Sequence, residues 1–510
     1  MSESPSDRIQ LNRRRFVTAA IAGGFTLAAC GRSGAPAATQ GNAIATDEAA
    51  LANLGGAIAA AEAARPHTGR TVTASLTPQA VTIDLGGPLV HTLAYGNSIP
   101  GPLIRANVGD ELAVTVTNRL DHPTSMHWHG LAIRNDMDGA TPATPNIEAG
   151  RDFTYRFSVP DPGTYWAHPH TGLQTDYGLY LPVLVDDPAE SARYDAEWIV
   201  VLDDWTDGIG QTPQQIYDDL RRPTKTATGG MHGMHGATSS SLLGGDAGDV
   251  SYPYYLFNGR IPTAPTSFSA KPGQRIRIRI INAGADTAFR VALAGHRMTV
   301  THTDGYPVEP TEVDALLLGI GERYDVIVTA GDGIFPMVAL AEGKNALARA
   351  LLTTGAGTAP DPGFQPAELN GHVGTVDIFT ATSAADLGSA KPNTALSADL
   401  NGSMEPYVWT INGQPYPDNQ PLTIRQGQRA TLTFTNNESG MWHPMHLHGH
   451  TFQLIKPDGS PGARKDTINV LPKQKVAVDL IADNPGVWML HCHNGYHQEA
   501  GMMTSLTYTT

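Results

Sequence analysis

The sequence predicts an all-β fold built from three Greek-key β-sandwich domains. Three observations predict it: frequent turn-forming residues, short runs of alternating polar and apolar residues, and one pattern that occurs three times. The 510 residues include 54 Gly and 37 Pro. Long amphipathic helical periodicity is hard to find between these turn formers, which favours short strands. A chain of this length accommodates about three domains.

The repeated pattern is an Asn near a Gly, a proline-bearing turn, another Gly, and an alternating strand that ends in Asn. Its strand, as in RIRIRI at 275–280, has the period-two alternation of a strand with one buried face. Three copies predict three related domains, which we place at residues 67–190, 191–365 and 366–510. The second Gly and the final Asn are nine residues apart in every copy: Gly109 and Asn118, Gly273 and Asn282, Gly427 and Asn436.

The N-terminus has the features of an export signal. The stretch NRRRF at 12–16 precedes an apolar run that ends in small residues, which is typical of a twin-arginine signal at residues 1–30. The stretch LAAC, which ends at Cys30, resembles a lipoprotein processing site; the alternative is a chance cysteine in an ordinary cleaved signal. Residues 31–66 contain no aromatic residue and predict a flexible spacer, with ALANLGGAIAAAEAA as a candidate short helix.

These features predict a protein of the cell envelope. It would be exported by the twin-arginine route and anchored through a lipid on Cys30, or else periplasmic or secreted. We expect contact with the membrane only through that lipid, and we expect a monomer. The net charge of −15 would repel phosphate backbones, so nucleic acid is excluded as a partner.

Histidine pairs distinguish the first and third copies from the second. TSMHWHG and HPMHLHGH carry H-x-H at the same repeat position, where the middle copy has FRVALAGH. PGTYWAHPH and PGVWMLHCH carry a second pair, where the middle copy has GIFPMVAL. We therefore expect the outer domains to donate metal ligands and the middle domain to donate none. The four pairs are His127/His129, His168/His170, His446/His448 and His491/His493.

Strand geometry divides these ligands between two sites. Both histidines of an H-x-H segment point to one side of a strand, and the residue between them points to the other. Eight imidazoles exceed the coordination shell of one ion and suit about three metal ions between the outer domains. Cys492 would then face a second site with His443, His497 and Met502, the ligand set of a blue-copper centre. Ordinary packing histidines and structural zinc are the alternatives, but the consistent repeat positions favour copper.

Through HWHG, HPH, HPMHLHGH and HCHNGYHQEAGMM, the chain from residue 67 onward resembles the three-domain multicopper oxidases, the laccase-like family with cupredoxin-like domains. The resemblance implies four copper ions: one type 1, one type 2 and two type 3. The implied ligands are His443, Cys492, His497 and Met502 for type 1, His127 and His446 for type 2, and His129, His168, His170, His448, His491 and His493 for type 3. The export signal and lipobox are similar to those of an actinobacterial branch associated with copper tolerance.

The resemblance also implies a reaction. Single electrons would enter at the type 1 site and cross through Cys492 and its flanking histidines, His491 and His493, to the cluster, where dioxygen is reduced to water. Asp138, in RNDMDG, matches the family's acidic residue near the type 2 copper and is the candidate for proton delivery; the alternative is a turn aspartate. Where some bacterial relatives carry a second acid after the last type 1 histidine, this chain has Gln498, so we assign no second proton donor.

The expected electron donors are Cu(I) or small phenols and aromatic amines. Met441 falls where relatives hold a cuprous-ion ligand. Relatives also carry an acid four residues before His443, where this chain has Ser439, and the adjacent Glu438 is the candidate replacement. The segment 224–241, with MHGMHG, either binds copper ions or is a disordered surface loop. A copper-binding or electron-transfer protein without turnover is the alternative function. It would need only the blue-copper ligands, so the eight further histidines favour the oxidase.

Overall fold

The computed structural model describes residues 43–190, 193–223, 239–437 and 440–509, in which short β-strands form stacked pairs of sheets. We call the pairs the N-terminal sandwich (71–186), the middle sandwich (196–374) and the C-terminal sandwich (394–509). The N-terminal sandwich contains β1 Thr71–Leu76, β2 Pro78–Asp84, β3 Leu89–Tyr95, β4 Ile104–Asn107, β5 Glu111–Thr117, β6 His127–His129, β7 Asp152–Ser158, β8 Gly163–His168 and β9 Leu181–Asp186.

The other two sandwiches have longer strands. The middle sandwich contains β10 Ala196–Trp205, β11 Ser239–Ser240, β12 Gly245–Asp246, β13 Tyr254–Phe257, β14 Ser267–Ser269, β15 Arg275–Asn282, β16 Phe289–Leu293, β17 Met298–Thr303, β18 Tyr306–Val313, β19 Ala315–Leu318, β20 Arg323–Thr329, β21 Ile334–Ala341, β22 Ala346–Thr353 and β23 Val373–Gly374. The C-terminal sandwich contains β24 Thr394–Met404, β25 Tyr407–Ile411, β26 Leu422–Arg425, β27 Arg429–Asn436, β28 His443–Leu447, β29 Phe452–Ile455, β30 Pro461–Lys465, β31 Thr467–Val470, β32 Lys475–Ile481, β33 Val487–Cys492 and β34 Met503–Thr509.

One strand order occurs in all three sandwiches. Four strands run β4-β9-β8-β6 in the first, β14-β22-β21-β16 in the second and β26-β34-β33-β28 in the third. The facing sheets contain equivalent parallel pairs, β1 with β5, β10 with β15 and β24 with β27. The apolar side chains between the sheets are buried, as Leu112, Val114 and Val116 of β5 illustrate. The shared order agrees with three related sandwiches, and the boundaries at 190/191 and 365/366 stay predictions.

The repeated Gly and Asn have a common structural purpose. Each Gly has a φ of 80 to 83°, the left-handed conformation that glycine adopts without a steric cost. Each Asn is buried, and its side-chain amide donates to two backbone carbonyls, one in the loop that follows its strand and one in a segment farther along the chain. The pattern therefore marks a turn, a strand and an amide that joins the end of the strand to two other segments of its sandwich.

Strand β15 differs from its expected pattern. Its alternation predicted one exposed arginine face, but Arg277 and Arg279 are 3 % and 2 % exposed. Both guanidinium groups pair with Asp325, at 2.6 and 3.0 Å, and Arg279 also donates to Thr164 of the N-terminal sandwich. The second face of the strand is buried because it forms an interface between two sandwiches.

The candidate short helix in the predicted spacer is confirmed and is longer than expected, because residues 43–63 form helix α1, Ala43–Ala63. Ala-rich sequence has high helix propensity, and this helix gains further stability by packing against strand β34. Two shorter helices follow, α2 Pro213–Leu220 and α3 Gly495–Glu499. None of the helices in the described ranges is long and apolar enough to span a bilayer.

Candidate metal centre

Two neighbouring strands of the C-terminal sandwich carry ligands for both predicted sites. Antiparallel pairing places His446 opposite His491 and Met445 opposite Cys492. Because successive side chains alternate, His491 lies on one side of β33 with His446, and the Cys492 thiol points to the other side. His493 follows the strand and shares the side of His491, with ring centroids 5.5 Å apart. The structure thus separates the thiol from its two flanking imidazoles.

On the thiol side, three ligand atoms converge. Cys492 Sγ lies 3.7 Å from His443 Nδ1 and 3.6 Å from His497 Nδ1, and the two nitrogens are 3.2 Å apart. With metal–nitrogen and metal–sulfur bonds of about 2.0 and 2.3 Å, ligand atoms around one ion are separated by roughly 3.3 to 3.7 Å. The three groups therefore fit a single ion.

Helix α3 explains the spacing between Cys492 and His497. Asn494 caps the helix by accepting hydrogen bonds from the backbone N–H groups of Tyr496 and His497, so the chain turns back and presents His497 to the thiol. Met502 is fully buried, and its backbone carbonyl accepts a hydrogen bond from the Cys492 N–H at 3.0 Å. The axial ligand predicted from the sequence thus follows the helix directly, beside the strand of the cysteine.

The opposite side of β28 and β33 faces the N-terminal sandwich. Rings from the two sandwiches stack in pairs, His127 on His448 at 3.6 Å and His129 on His446 at 3.7 Å between centroids. All eight histidines of the four H-x-H pairs take part in this group of rings. Three sets of ligand nitrogens lie within 4.8 Å of one another: His127, His446 and His448; His170, His448 and His491; His127, His129 and His168.

The free ring nitrogens test whether this group suits metal ions. Buried polar atoms almost always have a hydrogen-bond partner. Within the described residues, four ring nitrogens of the cluster are buried without one: His127 Nε2, His129 Nδ1, His170 Nε2 and His446 Nε2. Two further pairs only face each other, His448 Nε2 with His491 Nε2 at 3.0 Å and His168 Nε2 with His493 Nε2 at 3.4 Å. These are the atoms that bound metal ions would satisfy.

The other ring nitrogens are held by the protein. Backbone carbonyls lie 2.9 to 3.0 Å from the Nδ1 atoms of His127, His168, His446 and His491. A metal-binding histidine usually donates its second N–H in this way, which fixes the ring and directs the other nitrogen at the metal. The donor set therefore fits copper, since imidazole suits copper ions and the thiolate–imidazole–thioether set is that of a blue-copper site.

Burial also sets the protonation of these groups. Burial lowers the pKa of five cluster histidines well below the usual value, and neighbouring imidazoles lower it further: His129, His168, His448, His491 and His493. The same causes lower the pKa of His170 to about 3. These rings are neutral at physiological pH, which is the form that binds metal. Burial raises the pKa of the Cys492 thiol, and a bound metal would remove that proton.

Two acids touch the cluster. Asp138 is 2 % exposed; its carboxylate lies 2.8 Å from His448 Nδ1 and 3.2 Å from His127 Nδ1, so it bridges the two sandwiches. Asp466 accepts from His129 Nε2 at 3.1 Å and pairs with Arg323 of the middle sandwich at 2.7 Å. Burial favours the neutral acid, but Arg323 and the histidines hold the pKa of Asp466 well below its usual range.

Sequence reasoning missed Asp466 and a second acid, Asp249. Asp249 Oδ2 lies 3.1 Å from Nε2 of His497 and accepts from the Tyr407 hydroxyl at 2.7 Å. It comes from a loop of the middle sandwich, which the sequence assigned no ligands. No repeat or motif marks either acid; only the contact between sandwiches reveals them.

Some of the remaining predicted residues lie within the described ranges and others lie outside them. Met441 is 6 % exposed, and its backbone carbonyl accepts from Asn436. Gln498 belongs to α3 and donates its backbone N–H within the helix. Cys30, Glu438 and the MHGMHG stretch lie outside the described residues, so the predictions for them stay open.

Comparisons with known proteins agree with this site. Models of the family described as multicopper oxidase match residues 78–190, 196–357 and 389–510. The chain is 66% identical to the multicopper oxidase MmcO of Mycobacterium tuberculosis, over 98% of this chain and 97% of that one. It is 28% identical to a copper resistance protein A homolog of Pseudomonas syringae pv. tomato, over 84% of this chain and 90% of the relative.

Solved structures share the fold. The multi-copper oxidase of Pseudomonas thermotolerans superimposes with a TM-score of 0.66 at 26% identity, covering 86% of this chain and 99% of that one. Fet3p, a multicopper oxidase that functions in iron import, gives 0.71 at 21% identity, covering 86% and 90%. The predicted all-β fold of cupredoxin-like sandwiches is confirmed. This chain therefore belongs to the multicopper oxidase family, oxidoreductases that hold four copper ions and use dioxygen as the electron acceptor.

Proposed function

We propose that the physiological donor of this oxidase is Cu(I) and that the enzyme serves copper tolerance. The observation that carries the proposal is the burial of the type 1 site: the side chains of both His443 and His497 are 0 % exposed. The similarity to proteins named for copper resistance supports it.

The cover over the type 1 histidines favours a small donor. Asp249 accepts at the outer nitrogen of His497, and the indole of Trp409 packs on the same ring with centroids 4.1 Å apart. A phenol would have to displace this cover to reach an imidazole edge. A cuprous ion needs only a few ligand atoms, and the thioether of Met441, two residues before His443 in the sequence, suits Cu(I). Phenols and aromatic amines are therefore the second, slower class of donor.

The reaction consumes four Cu(I) ions, four protons and one dioxygen, and it yields four Cu(II) ions and two waters. When bound, the copper ions accept single electrons at the type 1 site and reduce dioxygen at the cluster. The chain contributes a short covalent connection, because Cys492 of the first site is bonded through the backbone to His491 and His493 of the second. The protein around both sites excludes water from the electron path.

Paired variants test the donor. Met441→Leu with Glu438→Gln should lower kcat/KM for Cu(I) by about tenfold while leaving the oxidation of a phenol unchanged, since a lost ligand is worth roughly one such factor. Met404→Leu is the matched control, because Met404 is 52 % exposed and lies on the β24 end. An unchanged rate with Cu(I) would contradict the cuprous site.

We propose further that Asp138 delivers protons for dioxygen reduction. Its carboxylate contacts the Nδ1 atoms of two cluster histidines, His127 of the N-terminal sandwich and His448 of the C-terminal sandwich. Asp138→Asn should slow turnover by about a hundredfold and leave anaerobic reduction of the blue chromophore unchanged. Asp136→Asn is the control, because Asp136 pairs with Arg134 nearer the surface. Equal slowing of turnover by both variants would contradict a specific role of Asp138 in proton delivery.

The cellular location is also a proposal. Twin-arginine export followed by acylation of Cys30 would anchor a monomer at the outer face of the cytoplasmic membrane. Cys30→Ala should release the protein into the soluble envelope fraction, and mass spectrometry of the mature N-terminus should find a lipid on the native protein. A native mature protein that begins elsewhere and lacks the lipid would overturn the anchor.

The rival function, a copper carrier without turnover, has a direct test. Copper-loaded protein should consume dioxygen when Cu(I) or a phenol is supplied. The eight cluster histidines favour this outcome, because a carrier needs only the type 1 group. No oxygen uptake by fully loaded protein would favour the carrier.

A further inference from the structure

Helix α1 begins on the C-terminal sandwich. Asp47, in its first turns, is 0 % exposed, and its Oδ1 accepts from the hydroxyls of Ser505 at 2.9 Å and Thr507 at 2.6 Å on β34. Burial raises the pKa of Asp47, and the two hydroxyl donors lower it only in part. A buried side chain that accepts two hydrogen bonds anchors this end of the helix to the sandwich.

The other end of α1 contacts the N-terminal sandwich. Glu62 Oε1 accepts from the backbone N–H of Ser158, the last residue of β7, at 2.8 Å. Its second oxygen pairs with Arg65, which also donates to Asn484 of the C-terminal sandwich at 2.9 Å. The helix therefore bonds to both outer sandwiches.

Between its ends, α1 covers the seam beside the cluster. Ala50 and Leu51 pack against a buried group formed by Ala140, Val487 and Met489. Ala140 comes two residues after Asp138, and Met489 comes two residues before His491. The helix thus rests on the two chain segments that lead directly into the cluster, one from each outer sandwich.

We infer that α1 is a clamp that holds the outer sandwiches in register and so retains the type 2 copper. Of the four copper ions, type 2 is implied to have the fewest protein ligands, His127 of one sandwich and His446 of the other. A small opening of the seam would separate these two ligands first. The type 1 ligands all belong to the C-terminal sandwich and would keep their geometry. The inference rests on the copper content of the family and not on the identity of the donor.

A pair of double variants tests the clamp in the full, copper-loaded chain. Asp47→Ala with Glu62→Ala removes the bonds to both sandwiches. Asp47→Asn with Glu62→Gln is the matched control, because each amide keeps one oxygen to accept the hydrogen bonds from its sandwich, and only the pair of Glu62 with Arg65 is lost. The alanine pair should lose type 2 copper to a chelator about fivefold to tenfold faster than the native protein. The control pair should behave as native.

The readout separates a clamp from a general loss of stability. Type 2 copper is measured by its electron paramagnetic resonance signal, and type 1 copper by its blue absorption in the same sample. A clamp predicts that only the type 2 signal falls. Parallel loss of both signals, or equal type 2 loss in the native and alanine proteins, would overturn the inference.

A second variant tests the opposite direction. Gly55 and Gly56 lie within α1, and a Cβ at either position would meet no atom within 4 Å. Gly55→Ala with Gly56→Ala should strengthen the helix without strain and slow type 2 loss by about threefold. Unchanged type 2 loss in a protein whose α1 amides exchange more slowly would contradict the clamp. This variant also gives an answer if the alanine pair fails to fold. Absence of a blue band in native loaded protein would instead contradict the oxidase itself.

Discussion

The middle and C-terminal sandwiches arrange equivalent strands in the same order, yet among the described residues only the C-terminal sandwich brings together groups that could hold metal ions. In the C-terminal sandwich, β28 and β33 bring imidazoles and a thiol to two sites. In the middle sandwich, the equivalent β16 and β21 carry apolar residues at these positions, among them Phe289, Ala292 and Val338, and all three are fully buried. The strand framework therefore forms with or without ligands, and metal chemistry occupies positions that apolar packing can also fill.

The two solutions differ in what stabilises them. Ala292 and Val338 belong to an apolar cluster with Ala315, Leu347 and Leu369, covered by the short helix Ala367–Asn370. The cluster histidines instead bury ring nitrogens without protein partners, which is unfavourable unless something binds them. The comparison predicts that the outer sandwiches depend on copper and that the middle sandwich does not.

The largest expected effect is that of Cys492→Ser. A hydroxyl cannot replace the thiolate, so blue absorption and turnover should disappear while the circular dichroism spectrum of the fold stays intact. Ala339→Ser is the matched control, since Ala339 holds the equivalent position on β21. Retained blue colour in Cys492→Ser would mean that the thiolate is elsewhere.

Removing copper should distinguish the sandwiches next. A site filled at a thousand times its Kd stabilises the folded state by about 4 kcal/mol, and that contribution is lost on chelation. Hydrogen exchange should therefore rise in β6, β8, β28 and β33 and stay unchanged in β16 and β21. A uniform rise across all six strands would show that the middle sandwich also depends on copper.

The middle sandwich has its own essential interaction, an ion-pair group at its interface with the N-terminal sandwich. Asp325→Asn removes the buried carboxylate that Arg277 and Arg279 share. Each guanidinium keeps one less buried partner, Glu190 for Arg277 and Glu197 for Arg279, and the variant should cost about 3 kcal/mol in free energy of unfolding. Asp399→Asn, at an exposed aspartate, is the control and should cost almost nothing. Urea unfolding followed by hydrogen exchange on β15 and β20 measures both.

The pH dependence of this variant has a definite sign. Burial would raise the pKa of Asp325, but Arg277 and Arg279 hold it well below its usual range. A carboxyl whose pKa is depressed on folding stabilises the protein above its unfolded pKa, and the stabilisation declines as pH falls through the folded pKa. The gap between native and Asp325→Asn protein should be full at pH 7 and shrink below about pH 4. A gap that grew in acid would exclude the ion-pair explanation.

The same comparison shows what could be predicted from the sequence. H-x-H spacing identified the strands that carry imidazoles, because period-two alternation links spacing to direction. Asp249 and Asp466 escaped prediction because each meets its histidine across a boundary between sandwiches. The burial of the strand face that carries Arg277 could not be predicted for the same reason, because that face lies at the interface between two sandwiches. The packing of helix α1 could not be predicted, because its composition indicates neither the partners of Asp47 nor the seam that the helix covers.

The smallest expected effect tests the apolar pocket of the middle sandwich. Val338 occupies the position of His491, so Val338→Thr places a hydroxyl of nearly the same shape among Ala292, Ala315 and Leu347. A buried hydroxyl without a partner should cost about 1–3 kcal/mol, measured by hydrogen exchange on β16 and β21. Val72→Thr, on a half-buried position of β1, is the control and should cost less. The copper content of both variants should equal that of the native protein. A cost no larger than that of the control would show that water reaches this pocket. It would contradict the interpretation that apolar packing fills, in the middle sandwich, the positions that the histidines occupy in the C-terminal sandwich.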